Sequence, residues 1–313
     1  MKKILVTGGA GNIASSLVRK LAADSTNEIV IVDNLLTGSM KKVPVLPRVT
    51  FVKCDVNDLS DISGVFYRNA FDFVFHYAAV VGVQRTLNNP LMVLNDIKGI
   101  ENVLKLSKNT GVKRVFYSSS SEVYGEPFEI PQNEFTTPLN SRLPYAIVKN
   151  LGEAYCRSFA FEYSLHFTIF RFFNTYGPSQ SEDFVIPRFI KSALQNQDIE
   201  IYGDGSQTRT FCYIDDNIDA CITCIQDELF IDDVVNIGSD NEISILELAK
   251  TVIRITGSQS KINFLPALKE GDMSRRCPDN TKMKEILNRP LISLEDGISR
   301  LIRSYSNELI TLI

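Results

Sequence analysis

The chain has 313 residues, 44% of them apolar, enough to bury a sizeable core as one large domain or as two joined lobes. Its 37 acidic residues slightly outnumber the 33 basic ones, so no general positive field draws it to nucleic acid or to an anionic membrane surface. The apolar run after Lys2 and Lys3 is broken by Gly8, Gly9 and Gly11, too short for a secretory core or a membrane span, and a cytoplasmic location is the expectation.

In chain order, β-branched runs alternate with helical patterns. A strand over 3–7 leads to a helix over 13–23, strands over 28–33 and 49–54, and a strand over 71–76. A helix from about 91 to 110, a strand over 114–118, a helix over 145–163 and a strand over 167–172 continue the series. The alternation predicts βαβ units and a doubly wound parallel sheet, the Rossmann-type α/β fold. Beyond Asn174 the texture changes, as Tyr176-Gly-Pro178, Tyr202-Gly-Asp-Gly205 and Leu265-Pro266 punctuate shorter elements. Residues 176–313 therefore read mainly as a smaller α/β lobe, with 1–175 as the main domain. A strand over 234–237 and a helix over 244–256 suit a return to the first half near 210–257, so the lobes interleave.

Six cysteines are scattered through the chain and favour free thiols over a disulfide framework. Cys221 and Cys224 form a CxxC, but it lies in a helical stretch over 216–225, and no second pair is spaced to complete a zinc site. His76 and His166 are the only histidines, which excludes a His-rich metal centre and leaves little for a Ser/His nucleophile. No metal is expected.

The first strand runs directly into Gly8-Gly-Ala-Gly11-Asn-Ile-Ala14 and a helix. Gly9 allows the tight turn, Gly11 admits a pyrophosphate close to the backbone, and small Ala14 lets helix and strand pack closely. Gly8, Gly11, Asn12 and Ile13 are thus candidate cofactor contacts. Asp33 ends the second strand, where a carboxylate accepts from an adenosine ribose hydroxyl and repels a 2′-phosphate; Asn34 follows it. NAD is favoured over NADP. Asp55, in Cys54-Asp-Val56, is placed to bond the adenine amino group beside Val56, or else to cap a helix.

Tyr145-Ala-Ile-Val-Lys149 puts a phenol and an ammonium on one helix face. A neighbouring Lys⁺ and an oxidised nicotinamide both favour phenolate, so Tyr145 is expected to take a hydroxyl proton while hydride leaves the same carbon. The run Ser118-Ser-Ser-Ser121-Glu-Val-Tyr-Gly125 follows the strand that ends near the nicotinamide.

With these motifs, the chain resembles the extended short-chain dehydrogenase/reductase family of nucleotide-sugar epimerases, dehydratases and decarboxylases over nearly its whole length. Further matches are His76-Tyr-Ala-Ala79, Arg171-Phe-Phe-Asn-Thr-Tyr-Gly-Pro178 and Tyr202-Gly-Asp-Gly-Ser-Gln-Thr-Arg209. The resemblance implies that Ala78 and Ala79 border the cofactor, that Ser120 bridges substrate O4 and Tyr145, and that Lys149 holds the nicotinamide ribose. It also implies that Asn174 and Arg209 contact the nucleotide diphosphate and that Val185-Ile-Pro-Arg-Phe189 frames a uracil. A homodimer through the helices near 91–110 and 145–163 is implied as well.

Glu122 narrows the reaction, because simple 4-epimerases of this resemblance usually carry a small neutral residue there. Once C4 is a ketone the bonds at C5 weaken, and a carboxylate nearby can guide loss of carbon dioxide or of water. Together with Ser274-Arg-Arg-Cys-Pro-Asp279, in which Arg276 sits near the reacting sugar, the chain looks most like UDP-glucuronate decarboxylases. Arg275 and Arg276 equally suit diphosphate pairing. Some features depart from that pattern: Ser179 follows Gly177-Pro178 where the decarboxylases place arginine, and His76 to Thr86 looks more like the 4-epimerases. Decarboxylation or a related elimination on a UDP-sugar is therefore the leading expectation, with 4-epimerisation as the alternative. A non-catalytic nucleotide-binding sensor is the reading from another class, and the Ser120, Tyr145 and Lys149 set argues against it.

Overall fold

The computed structural model describes residues 1–267 and 275–310. Its first half runs β1 (Lys2–Thr7), α1 (Asn12–Leu21), β2 (Asn27–Asp33), β3 (Val49–Lys53), α2 (Leu59–Arg68) and β4 (Phe73–His76). Helices α3 (Val83–Asn88), α4 (Pro90–Leu94) and α5 (Asp96–Thr110) lead to β5 (Arg114–Ser120), and α6 (Pro144–Tyr163) to β6 (His166–Phe172). Apart from α2 and α3, these are the alternating elements that the sequence predicts, and the helix expected over 91–110 is divided at Asn95. There the Lys98 amide bonds the Asn95 carbonyl in a tightened turn, while the Asp96 carboxylate is drawn away to the Val80 amide at 2.7 Å.

The second half contributes β7 (Thr175–Tyr176), α7 (Val185–Leu194), β8 (Ile199–Tyr202), β9 (Thr208–Thr210), β10 (Cys212–Tyr213) and α8 (Ile214–Gln226). It continues with β11 (Asp233–Ile237), β12 (Glu242–Ser244), α9 (Ile245–Thr256), β13 (Ile262–Leu265), α10 (Thr281–Leu287) and α11 (Leu294–Ile310). Among these, β11 pairs in parallel with β6, and α8 packs on α1 through a buried apolar face and a Lys20–Asp219 ion pair. Cys221 and Cys224 lie inside α8, both buried in that core.

The central sheet has seven strands in the order β11-β6-β5-β4-β1-β2-β3, all parallel. Helices cover both faces, which is why β1 and β2 are apolar at successive positions rather than alternating. Ile4 and Val6 point into one core and Leu5 into the other. Strand order reverses between β1 and β4, and the crevice outside their carboxyl ends is where such sheets bind ligands. Among the described residues no helix is long and apolar enough to cross a membrane.

Helix α6 lies against β5 at Gly152, where a Cβ would overlap the Tyr117 hydroxyl and ring. Gly152→Ala is expected to destabilise the protein by about 1–3 kcal/mol through overpacking, read as a lower midpoint in urea. An unchanged midpoint would show that this contact has room to relax.

Candidate functional site

A cavity of about 480 Å³ opens at the reversal point, lined by the turns after β1, β2, β3 and β4, the start of α6 and the loop before α7. At one end Gly8, with φ +71°, turns the chain out of β1, and a Cβ there would meet the Ala78 backbone at 2.7 Å. Gly11 caps α1 without a side chain, so the first amides of that helix face the cavity unscreened. The Asp33 carboxylate accepts from Ala10 N at 3.0 Å and from Leu35 N at 2.7 Å, and so pins the glycine turn while remaining on the cavity wall. Asn12 Oδ1 is buried and, among the described residues, has no hydrogen-bond partner. A backbone cradle closed to any Cβ, an open helix N-terminus and a ribose-height carboxylate fit a dinucleotide.

Behind this turn Thr7 Oγ1 accepts from the Tyr77 and Ala78 amides, both at 3.1 Å, and lies 2.9 Å from His76 Nδ1. Burial, aided by the Lys149 charge, pulls His76 down to about 3, so the ring is neutral. With its lone pairs taken by amides, Thr7 donates its hydroxyl proton to Nδ1, which leaves the ring proton on Nε2.

At the other end β5 delivers Ser120 and α6 delivers Tyr145 and Lys149. Ser120 and Tyr145 are hydrogen-bonded through their side chains, and Ser120 Oγ also accepts from Glu122 N at 3.2 Å, capping the short 3₁₀ turn over 121–124. Lys149 Nζ donates to Ser118 O at 2.6 Å and sits 5.8 Å from the centre of the Tyr145 ring. Sequence reasoning expects the lysine to lower the phenol. In the protein itself Tyr145 is instead pushed up, first by burial and then by the Glu122 charge, with the Ser120 bond opposing. Burial decides the direction, and the Lys149 ammonium is anchored on the Ser118 carbonyl. Glu122 Oε1 meets Arg276 Nη2 at 2.7 Å, an ion pair in the cavity wall whose arginine is only 6% exposed.

The cavity also brings Ile13, Asn34, Asp55, Val56, Ala79, Asn174 and Val185 together with the residues above. Asp55 Oδ1 accepts from Asn57 N at 2.9 Å, the capping alternative, yet still borders the space. Two expected residues lie outside the lining. Arg275 turns away to Glu242, which it grips through Nε and Nη2 at 2.6 and 2.5 Å, and it is half exposed. Arg209 is buried on β9, where Nη1 bonds the Thr208 carbonyl at 2.7 Å. In the pairing of β9 with β12, Glu242 stands opposite Thr210 and holds Arg275 there, while Arg209 stands opposite Ile243. Ser274, first residue of the arginine motif, lies outside the described residues.

Sequence reasoning missed Asp96 and Arg85. Asp96 borders the cavity near Lys149 and is pushed up by burial, its bonds from Val80 N and Asn57 opposing. Arg85 pairs with Asp183 across the mouth at 3.4 Å. Neither carries a spacing signal, since each partner comes from a distant segment. Among the described residues no group of three or more His, Cys, Asp or Glu could hold a metal ion.

Burial draws Lys149 down to about 8 from an ordinary 10.5, with Asp96 working the other way. Between those values the unfolded chain holds a proton that the native protein has lost, so stability rises with pH across that window. Lys149→Met removes this slope. Relative to wild type, the cofactor-free variant should be most favoured below pH 8 and lose that advantage toward 10.5, as read by urea unfolding across the range. A pH-independent difference would contradict the depressed lysine.

The family model described as the NAD dependent epimerase/dehydratase family matches residues 4–238. A UDP-N-acetyl-alpha-D-glucosaminuronate decarboxylase of Bacillus cytotoxicus is 36% identical, over 96% of this chain and 97% of its own. UDP-glucuronic acid decarboxylase 1 of Danio rerio is 33% identical, over 98% of this chain and 73% of its own. The crystal structure of a UDP-glucose 4-epimerase of Thermotoga maritima with UDP-glucose matches with a TM-score of 0.92 at 32% identity, covering 98% of this chain and 99% of that one. The glycine turn, the cavity at the strand reversal and these likenesses agree: the chain belongs to the NAD-dependent epimerase/dehydratase family, with NAD as its cofactor.

Proposed function

We propose that the protein decarboxylates a UDP-linked hexuronate, UDP-glucuronate first among them, through a transient ketone at C4. The observation that carries this reading is the Glu122–Arg276 pair in the cavity wall beside Ser120 and Tyr145. A nearly buried guanidinium suits a sugar carboxylate, and relatives from Bacillus cytotoxicus and Danio rerio bear the names of uronate decarboxylases.

NAD, when bound, supplies the two-electron acceptor for the C4 carbinol and returns the electrons at the end. Glycines 8 and 11, Asn12 and Ile13 hold its phosphates, Asp33 and Asn34 its adenosine ribose, Asp55 and Val56 its adenine, and Ala78 and Ala79 its middle. Lys149, anchored on Ser118 O, orients the nicotinamide ribose. Ser120 holds the O4 hydroxyl and Tyr145 Oη, ionised only once a positive charge is brought beside it, takes the hydroxyl proton while C4 gives up its hydride, so C4 becomes a carbonyl. The carboxylate on C5 is then β to that carbonyl. The C5–C6 bond breaks, carbon dioxide leaves, the electron pair passes into the C4 enolate, and a proton returns to C5. Arg276 seats the carboxylate, while the like charge of Glu122 favours its departure as a neutral molecule. Asn174 and Val185 line the way to the nucleotide, and in this reading Arg209 closes on the diphosphate.

The second reading is 4-epimerisation of a UDP-sugar. Ser179 in place of arginine after Pro178, and the likeness to the Thermotoga maritima epimerase, favour it. In either case a homodimer through α5 and α6 is the proposed assembly, supported by exposed Ile147, Leu151 and Phe161 on α6. A cytoplasmic setting suits six buried, free thiols.

Incubation with NAD and UDP-glucuronate, followed by proton NMR, should yield a UDP-pentose. A galacto-configured uronate would replace this reading with epimerisation, and no change would remove uronate as substrate. Glu122→Gln, which keeps a neutral partner for Arg276, should still reduce NAD with substrate but release at most about a hundredth of the pentose. Undiminished release would take Glu122 out of the mechanism.

A further inference from the structure

We infer that Tyr124 and Asn236 are positioning residues, two links of a buried hydrogen-bonded strut that runs from the Ser120–Glu122 turn to the segment bearing Arg276 and registers Arg276 on Glu122. This rests on the reading that Glu122 and Arg276 face the reacting sugar.

The strut starts one residue before Ser120, where Ser119 Oγ donates to Glu153 Oε1 at 2.6 Å. Glu153 accepts Arg171 Nε and Nη2 at 2.8 and 2.6 Å, and Arg171 Nη1 donates to Tyr124 Oη at 2.8 Å. Tyr124 closes the 3₁₀ turn that holds Glu122, so this bond fixes the far end of that turn. The Tyr124 hydroxyl then donates to Asn236 Oδ1 on β11 at 2.8 Å. Asn236 Nδ2 donates onward to Gln132 O at 2.8 Å and to Asp279 O at 3.3 Å. Gln132 in turn brackets the arginine segment: its amide donates to Cys277 O, and its carbonyl accepts from Asp279 N, both at 2.8 Å. Cys277 is the neighbour of Arg276.

Residues 275–280 have no helix or strand of their own beyond an isolated bridge between Gln132 and Pro278. Their place is therefore set by these bonds together with Arg275 on Glu242 and Asn280 Nδ2 on Gly238 O. Tyr124 and Asn236 are 1% and 0% exposed and are not among the residues lining the cavity, so they act on the site only through what they hold. Each link is strong for the same reason, because an unpaired polar atom at this depth is costly.

The test is a double-mutant cycle of Tyr124→Phe with Arg276→Ala, measured on whichever UDP-sugar the wild-type enzyme converts, with kcat, KM, NAD affinity and Tm recorded. Tyr124→Phe alone should lower kcat about tenfold with NAD affinity unchanged, and the loss should vanish when Arg276 is already alanine. Asn236→Asp, which keeps the acceptor for Tyr124 and loses the two donated bonds, should show the same coupling. Losses that multiply in the double variant, or a kcat unmoved by Tyr124→Phe, would overturn the strut, as would a fall in Tm with equal loss of activity in both backgrounds. Because a neutral UDP-hexose serves as well as a uronate, absence of a pentose product bears on the decarboxylase reading alone.

Discussion

Arg171 and Glu153 meet at 2.6 Å with side-chain exposures of 1% and 2%. An ion pair so deep is tolerated only where every remaining polar atom is matched, since the desolvation cost otherwise exceeds the attraction. Here the matching is what builds the site. Glu153 reaches Ser119 at the end of β5, Arg171 is part of β6, and Glu153 itself belongs to α6, so one pair clamps two strands and a helix at the carboxyl edge of the sheet. Tyr145 and Lys149 stand two turns and one turn, respectively, before Glu153 on the same helical face, and their distance from Ser120 follows from that clamp.

The same dryness sets the protonation states. Burial pushes Tyr145 up, draws Lys149 down to about 8 and keeps His76 neutral. Each group is moved toward its uncharged form, and for Lys149 and Tyr145 the neighbouring Asp96 and Glu122 modify the shift. Asp96 opposes the loss of charge on Lys149, while Glu122 adds to the reluctance of Tyr145 to ionise. An added positive charge near Tyr145 would favour its ionised form.

Much of this was legible in the order of residues. Glycines 8, 9 and 11 followed by Asp33 pointed to a dinucleotide because the turn, the helix start and the carboxylate all lie within one βαβ unit, where local geometry depends on near neighbours. Tyr145 and Lys149 were legible for the same reason, four apart on one helix. Arg275 and Arg276 were told apart only by resemblance, with diphosphate pairing of both left open: adjacent residues in an irregular segment point opposite ways, and the position of Glu242 on β12 and of Glu122 after β5 assigns one to the surface and the other to the cavity.

The sequence by itself determined the alternating α/β architecture, the cofactor turn and the catalytic helix, because periodicity and turn chemistry act over a few residues. Tertiary structure alone decided that Arg275 turns to the surface, that Lys149 donates to the Ser118 carbonyl, and that Asp96 and Arg85 border the cavity. Those outcomes depend on burial and on partners dozens of residues away, and a charge buried beside a distant partner leaves no local pattern to read.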